Sequence, residues 1–413
     1  MKSKKILATT FIVRVIMTIS TFGLFILSSR YLGAEGRGMI SLYVANIAIV
    51  QLVSEIIFGP GYIYTAQRIF FKKIFTAGIL WSVGCSIVIP VILVLTHIQS
   101  TDLFPYLIIN SFLVALVTGI NYQLQSYHHS FAFNTINLIQ SISALCIAWM
   151  LLYIYPSTQL FCSALSCSYI LTCLTGGYFL WKYDRSDLPS KKDNFHNSLK
   201  KSFSIGLTAQ YSNFLNFLNT RIGFYLIFLI LGNIKELGIF SAAAILAESV
   251  WIISNTLATW LYPQIASTGD SKETIEKTLS NAYVAFWYRY AALFLLLLIP
   301  EFIFLGIFGS DFIGIKQYFM LLIPGTLILA YGKIFWNYFA GTGQFNINNY
   351  SALISTMVAI VSSIPLMHYF KITGIAISTS LSYITYACIL IAVFISKNKL
   401  NVRAALPSFK LLP

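Results

Sequence analysis

Apolar stretches of about 20 residues recur from one end of this chain to the other, and nothing constrains its fold more. A helix rises 1.5 Å per residue, so each stretch is long enough to cross the roughly 30 Å hydrocarbon core of a bilayer. Lipid offers no hydrogen bonds to a bare backbone, so a chain crosses it only as closed helices or as a closed barrel. A barrel would show alternating segments of about ten residues, and that pattern is absent. Charged residues make up 10% of the 413, against roughly 25% in a soluble domain. The expected fold class is an all-α membrane protein of about twelve transmembrane helices. They are predicted over 6–28, 40–58, 74–96, 103–121, 131–155, 158–181, 203–231, 237–264, 281–307, 317–340, 347–369 and 373–396.

A net charge of +14 would suit a nucleic-acid binder if the bases shared a soluble face, but they gather in alternate loops. Of the 27 Lys and Arg, 18 lie at the termini and in the even-to-odd loops, 5 lie on the other face and 4 lie within helices. The positive-inside rule then places both termini in the cytoplasm. Trp181, Trp260 and Trp336 fall near the cytoplasmic helix ends, as an aromatic belt requires. Met1-Lys-Ser-Lys-Lys5 followed by an apolar run looks like a signal peptide, but no small-residue cleavage site follows, so a retained first helix is expected. The six cysteines lie inside apolar segments without metal-ligand spacing, and His128-His129 lacks a third ligand. They are read as packing and loop residues, and no cofactor is expected.

The chain repeats itself. Leu32-Gly33 with Gly38-Met-Ile-Ser41, and Leu231-Gly232 with Gly238-Ile-Phe-Ser241, stand about 200 residues apart at the first helix–helix junction of each half. The expected domains are a six-helix bundle over 1–190, a basic cytoplasmic linker over 191–202, and a second six-helix bundle over 203–413 with a short cytoplasmic tail. An even number of helices per half makes the repeat axis run along the membrane normal, with a central cavity expected between the bundles.

Charge inside a bilayer costs at least about 2.5–3.5 kcal/mol per group, so its position is informative. Thr10, Arg14, Thr18, Thr21 and Ser28 share one face of the first helix. Gln210, Asn213, Thr220 and Arg221 share a face of the seventh, and Ser241, Glu248, Asn255 and Thr259 share a face of the eighth. Hydroxyls can be explained by helix–helix hydrogen bonding; Arg14, Arg221 and Glu248 call for a hydrated interior. Arg289 and Lys333 are expected near the cytoplasmic interface, with stems that let them snorkel. Glu55 and Glu301 are expected near helix ends, solvated or paired. Pro90, Pro300, Pro324 and Pro365 can bend their helices. Intramembrane bases equal or outnumber acids, and Arg suits bidentate phosphate recognition, so the expected substrate is anionic.

Ser29-Arg-Tyr-Leu-Gly-Ala-Glu-Gly-Arg-Gly38 after the first helix resembles the opening of bacterial polysaccharide and O-antigen flippases (Wzx-type) of the multidrug/oligosaccharidyl-lipid/polysaccharide exporter superfamily. Asn219-Thr-Arg-Ile-Gly-Phe-Tyr225, Leu237-Gly-Ile-Phe-Ser-Ala-Ala243 and Trp260-Leu-Tyr-Pro-Gln-Ile265 are similar to that family's helix 7–8 segment. Phe308-Gly-Ser-Asp-Phe312, Leu322-Ile-Pro-Gly325 and Gly341-Thr-Gly-Gln344 look like its helix 9–10 region. Many members carry an acid soon after the helix 7 arginine, where this chain has Gly223 and Phe224.

The resemblance implies a MATE-like fold of two six-helix bundles in a bacterial inner membrane. It implies translocation of an undecaprenyl-pyrophosphate-linked oligosaccharide, an O-antigen or capsule repeat unit, to the periplasmic leaflet. The substrate-binding candidates are Arg14, Arg221, Gln210, Asn213, Arg289 and Lys333. Glu248 and Glu55 are the candidates for coupling to H+ or Na+. Polymerase and chain-length proteins of the same pathway are the expected protein partners, beside membrane lipid; nucleic acid is not. Aligning the two Leu-Gly junctions puts Arg221 about two turns nearer the outer face than Arg14, which suggests a two-step path for the pyrophosphate. One rival reading is a multidrug exporter of the same fold, which would want interior carboxylates. Another is a membrane polymerase or glycosyltransferase, which would want a sizeable outer loop.

Overall fold

The computed structural model describes residues 2–59, 61, 71–127, 129–183, 195–250, 265 and 271–401. Every regular element among the described residues is helical. The first, α1 (Lys2–Phe58), is 57 residues long but breaks at Gly33, with φ 66° and ψ −174°. At 1.5 Å per residue its length is about 85 Å, nearly three hydrocarbon thicknesses, so α1 is two crossings that meet at Gly33. That backbone conformation is essentially open to glycine alone. Next come α2 (Phe71–Leu95), α3 (Phe104–Ser126), α4 (Ser130–Ile154) and α5 (Thr158–Lys182). Ser157 starts α5 as an N-cap, its Oγ accepting from the Leu160 amide at 3.1 Å.

The longest single crossing, α6 (Phe195–Leu226), ends in a π-helical turn, Ile227–Leu231. Gly232 then stops it at φ 62°. The left-handed glycine releases the chain into α7 (Ile234–Ser249), where the Asn233 side chain caps the Glu236 amide at 3.0 Å. Following these are α8 (Lys272–Leu298), α9 (Glu301–Phe308), α10 (Ile315–Gly341) and α11 (Phe345–Lys397). The 53 residues of α11 break at Lys371 (φ 50°), again giving two crossings.

Among the described residues nine helices are long and apolar enough to span a membrane. Two of these, α1 and α11, are double, and α7 leads into a stretch predicted to run to 264 that lies outside the described residues. The two sequence-matched junctions, Gly33 and Gly232, both have positive φ.

Two compact units divide the chain, Met1–Phe214 and Leu215–Pro413, with α6 passing from one to the other. Inside the first, Tyr43, Leu107, Phe161 and Leu165 form an apolar core. Asn110 satisfies the polar groups within it, donating to Tyr43 Oη at 2.6 Å and to the Cys162 carbonyl at 3.0 Å. Inside the second, Phe335, Tyr338, Phe339, Tyr383 and Phe394 pack together. Here α10 and α11 touch backbone to backbone. A Cβ on Gly332 would sit 2.6 Å from the Ala387 Cβ, and one on Gly325 would sit 2.5 Å from the Ser380 Cα. The Ser380 hydroxyl accepts the Gly325 amide at 2.7 Å beside Pro324, the kind of side-chain partner that membrane helices use around proline.

Three boundaries differ from the sequence reading. The stretch expected as linker, 191–202, is helical from Phe195 on: His196, Asn197, Lys200 and Lys201 are exposed on the first turns of α6, while Ser198 and Ser202 are buried. The predicted helix 281–307 is two helices, α8 and α9. Capped by Ser271, α8 starts nine residues earlier, at Lys272, and Pro300, which lacks an amide hydrogen, separates it from α9. The predicted first helix, 6–28, continues to the Gly33 break. Among the cysteines, Cys85 and Cys162 are buried, while Cys146, Cys167 and Cys388 are exposed. Trp260, His128, Asn255 and Thr259 lie outside the described residues.

Candidate functional site

The face of α6 that carries Gln210, Asn213 and Arg221 serves two separate sites. Its second half belongs to the second unit, where the tight turn at Gly232 folds α7 back as a hairpin. Arg221 then meets Glu248 through two parallel bonds, Nη1 to Oε1 at 3.0 Å and Nη2 to Oε2 at 2.9 Å. The Tyr383 hydroxyl reaches Glu248 Oε1 from α11 at 3.4 Å. The Arg221 guanidinium also lies 5.2 Å from the centre of the Phe224 ring. The acid missing from positions 223 and 224 is thus supplied by the next helix.

Two more bases stand around this pair. Arg289, on α8, is fully buried, and its Nη2 donates to the carbonyl of Ala247, the neighbour of Glu248, at 3.3 Å. This overturns the expectation that Arg289 snorkels to the interface. With α8 running 272–298, residue 289 is two-thirds of the way along its helix rather than near the start. Lys333, half-buried on α10, lies within electrostatic reach of Glu248, Arg289 and Arg221. The structure thus gathers Arg221, Glu248, Arg289 and Lys333 from four helices: three bases about one carboxylate. At short range in a poor dielectric such an excess of positive charge attracts an anion strongly, and two of the three bases are the planar forks that match phosphate oxygens.

The first half of the α6 face belongs to the first unit. A Cβ on Gly206 would collide with the Ile56 carbonyl, so only glycine lets α6 lie this close to the end of α1. One turn on, buried Gln210 reaches Glu55 from that glycine contact, Nε2 donating to Oε2 at 3.1 Å. Gln51 donates to the other carboxylate oxygen at 2.8 Å and to Thr118 Oγ1 at 3.2 Å. Asn213, exposed at the edge, donates to Gln210 Oε1 at 3.1 Å. Glu55, expected to be solvated or paired, has neutral amide donors as its hydrogen-bond partners among the described residues.

Arg14 stands exposed on α1. The hydroxyls of the polar stripes mostly serve their own helices: Thr18 donates to the Arg14 carbonyl at 2.9 Å, Thr21 to Met17 at 2.8 Å and Thr220 to Asn216 at 3.1 Å. Glu301 accepts the Gly314 amide at 2.8 Å and shapes a turn. Sequence reasoning missed Gln51, Thr118, Tyr383 and Arg37. Gln51 is one turn before Glu55 and was legible as its partner. Arg37, in a predicted loop, is buried, donates to Ser28 Oγ at 2.9 Å and lies 4.7 Å from the Phe25 ring centre. Among the described residues no group of three or more His, Cys, Asp or Glu is placed to hold a metal ion.

The fold has solved counterparts. A multidrug-resistance MATE transporter of the MOP superfamily, in an inward-facing conformation, aligns with TM-score 0.72 and 13% identity, covering 93% of this chain and 94% of that one. The lipid II flippase MurJ, inward closed, aligns with TM-score 0.75 and 12% identity, covering 97% of this chain and 89% of that one. These likenesses define the class by its fold: an all-helical, multi-pass membrane protein with the MATE/MurJ architecture. Among curated sequences, Lsg locus putative protein 1 of Haemophilus influenzae is 24% identical over 377 residues, 87% of this chain and 90% of its own length. No protein-family model matches.

Proposed function

We propose that this chain is a flippase. Its substrate is an undecaprenyl-pyrophosphate-linked O-antigen or capsule repeat unit, moved from the cytoplasmic to the periplasmic leaflet of a bacterial inner membrane. The observation that carries the reading is the set of Arg221, Arg289 and Lys333 about Glu248, one carboxylate among the described residues. A diphosphate offers bidentate oxygens to guanidinium groups, and it is repaid for its lost hydration by fixed positive charge. An organic cation would meet net repulsion at the same place, which disfavours drug export. The fold shared with a lipid II flippase supports a lipid-linked cargo.

In this reading Arg14 engages the head group first and the Arg221 cluster second. Two moderate sites release better than one strong one. Glu248 competes with the diphosphate for Arg221, and a proton or Na+ on the carboxylate frees the arginine, which ties ion binding to cargo binding. Cells lacking the gene should lose surface glycan and regain it with the wild-type chain. Arg14→Ala and Arg221→Ala should restore little display at normal membrane abundance, and the Lys versions should restore part of it. Full display by both Ala variants, or loss of display that tracks loss of protein, would overturn the reading; efflux of organic cations would replace it.

A further inference from the structure

The first unit holds a polar site of a different character. One carboxylate (Glu55), three carboxamides (Gln51, Gln210 and Asn213) and one hydroxyl (Thr118) form a single hydrogen-bonded chain drawn from α1, α3 and α6. Tyr122, one turn beyond Thr118 on α3, is within electrostatic reach of Glu55 and brings an aromatic ring to it. The backbone is shaped around this chain. Gly206 lets α6 press on α1, and a Cβ on Gly59 would crowd Gln210 Nε2 at 3.1 Å. So much polar surface within membrane helices is costly unless it has a use.

Resting on the flippase reading, we infer that this chain of groups is the subsite for the sugars of the cargo. Its donors and acceptors alternate: each carboxylate oxygen, the Gln210 carbonyl and the Thr118 oxygen already accepts an amide hydrogen. Sugar hydroxyls donate and accept at one atom, so they replace these bonds one for one and strand no group. A bound metal ion fits less well, because it needs several oxygens turned inward together and the amide hydrogens turned away. Asn213, at the exposed edge, is where the first sugar exchanges its bonds. In the flippase reading the diphosphate is recognised by other residues, Arg221, Arg289 and Lys333, so each chemistry of the cargo has its own set. A site built on hydrogen bonds discriminates sharply, since a cargo lacking a matching hydroxyl leaves a buried amide unpaired.

The test uses the full chain in liposomes with two probes. One is the lipid-linked oligosaccharide that accumulates in cells lacking the gene, and the other is undecaprenyl diphosphate carrying a single sugar. Thr118→Val keeps size and removes one acceptor, while Gln210→Leu, of similar size, removes both a donor and an acceptor. Thr118→Val should slow the oligosaccharide about tenfold, as for one stranded polar partner, and Gln210→Leu at least as much, and both should leave the single-sugar lipid near its wild-type rate. Glu55→Gln should act in the same sense. Equal slowing of both probes, or no slowing of either, overturns the subsite. So does a Na+ dependence that Glu55→Gln abolishes whatever the sugar, which would make the network a cation site. A wild-type chain that moves neither probe overturns the flippase reading instead. Thr118→Val, the smallest change, answers the question if Gln210→Leu fails to accumulate.

Discussion

Glu248 is held in place by one arginine and surrounded by two more bases, so its removal and the removal of Arg221 are unequal injuries. Glu248→Ala leaves three bases together without a carboxylate. Arg221→Ala leaves the carboxylate with Arg289 and Lys333 still in reach. Breaking a buried pair costs about 3–5 kcal/mol, and the cost here falls toward the lower end because the two side chains keep 26% and 11% exposure. We expect Glu248→Ala to lower the melting temperature in detergent more than Arg221→Ala. The double variant should melt above Glu248→Ala, and a double variant that melts below both single variants would contradict the pairing. Residue identity was legible here and partnership was not. Arg221 and Glu248 stood out as charges on polar faces. Yet no feature of the sequence says that a helix hairpin brings them together, or that Tyr383, one of 25 tyrosines, completes the pair. Arg289 was misplaced for a related reason: hydropathy sees where a helix is greasy, and the polar first turns of α8 belong to the helix all the same.

Elements in this chain are stopped by single residues. Gly33 and Gly232 both use positive φ, but in different regions. At Gly33, ψ −174° puts the backbone where a side chain is not tolerated, whereas Gly232, ψ 14°, is in the ordinary left-handed region with open space around it. Gly33→Ala should therefore cost about 2–3 kcal/mol, and Gly232→Ala about 1 kcal/mol. Thermal unfolding of the two variants checks the order, and equal shifts would mean the breaks are held by packing rather than by the residue. Close approach makes the second demand on glycine. Gly332→Leu should separate α10 from α11 and lower the yield of folded protein far more than Gly84→Leu, whose added side chain meets open space. The repeat was visible in the sequence because both junctions spend a Leu-Gly pair on the same kind of break. The Lys371 break was legible too, as the short gap between the apolar runs 347–369 and 373–396, although nothing marks a lysine itself as a turn residue.

At the scale of the whole molecule, alternate loops carry the bases, and the expected topology puts both termini in the cytoplasm. A C-terminal fusion should be active as a cytoplasmic reporter and silent as a periplasmic one. The reverse result would change the number of crossings by one. The fold class was legible, because twenty apolar residues in lipid leave the backbone little choice, whereas the grouping of charges depends on which faces meet.

One further consequence concerns how the chain is made. Arg221 and Glu248 are 27 residues apart and lie on the two arms of one hairpin. At about 5–20 residues per second, the carboxylate leaves the ribosome only seconds after the guanidinium. If the arms are released into lipid as a couple rather than singly, neither ion faces hydrocarbon alone. The tight turn at Gly232 therefore does a biosynthetic job: it keeps the wait for a counter-ion short.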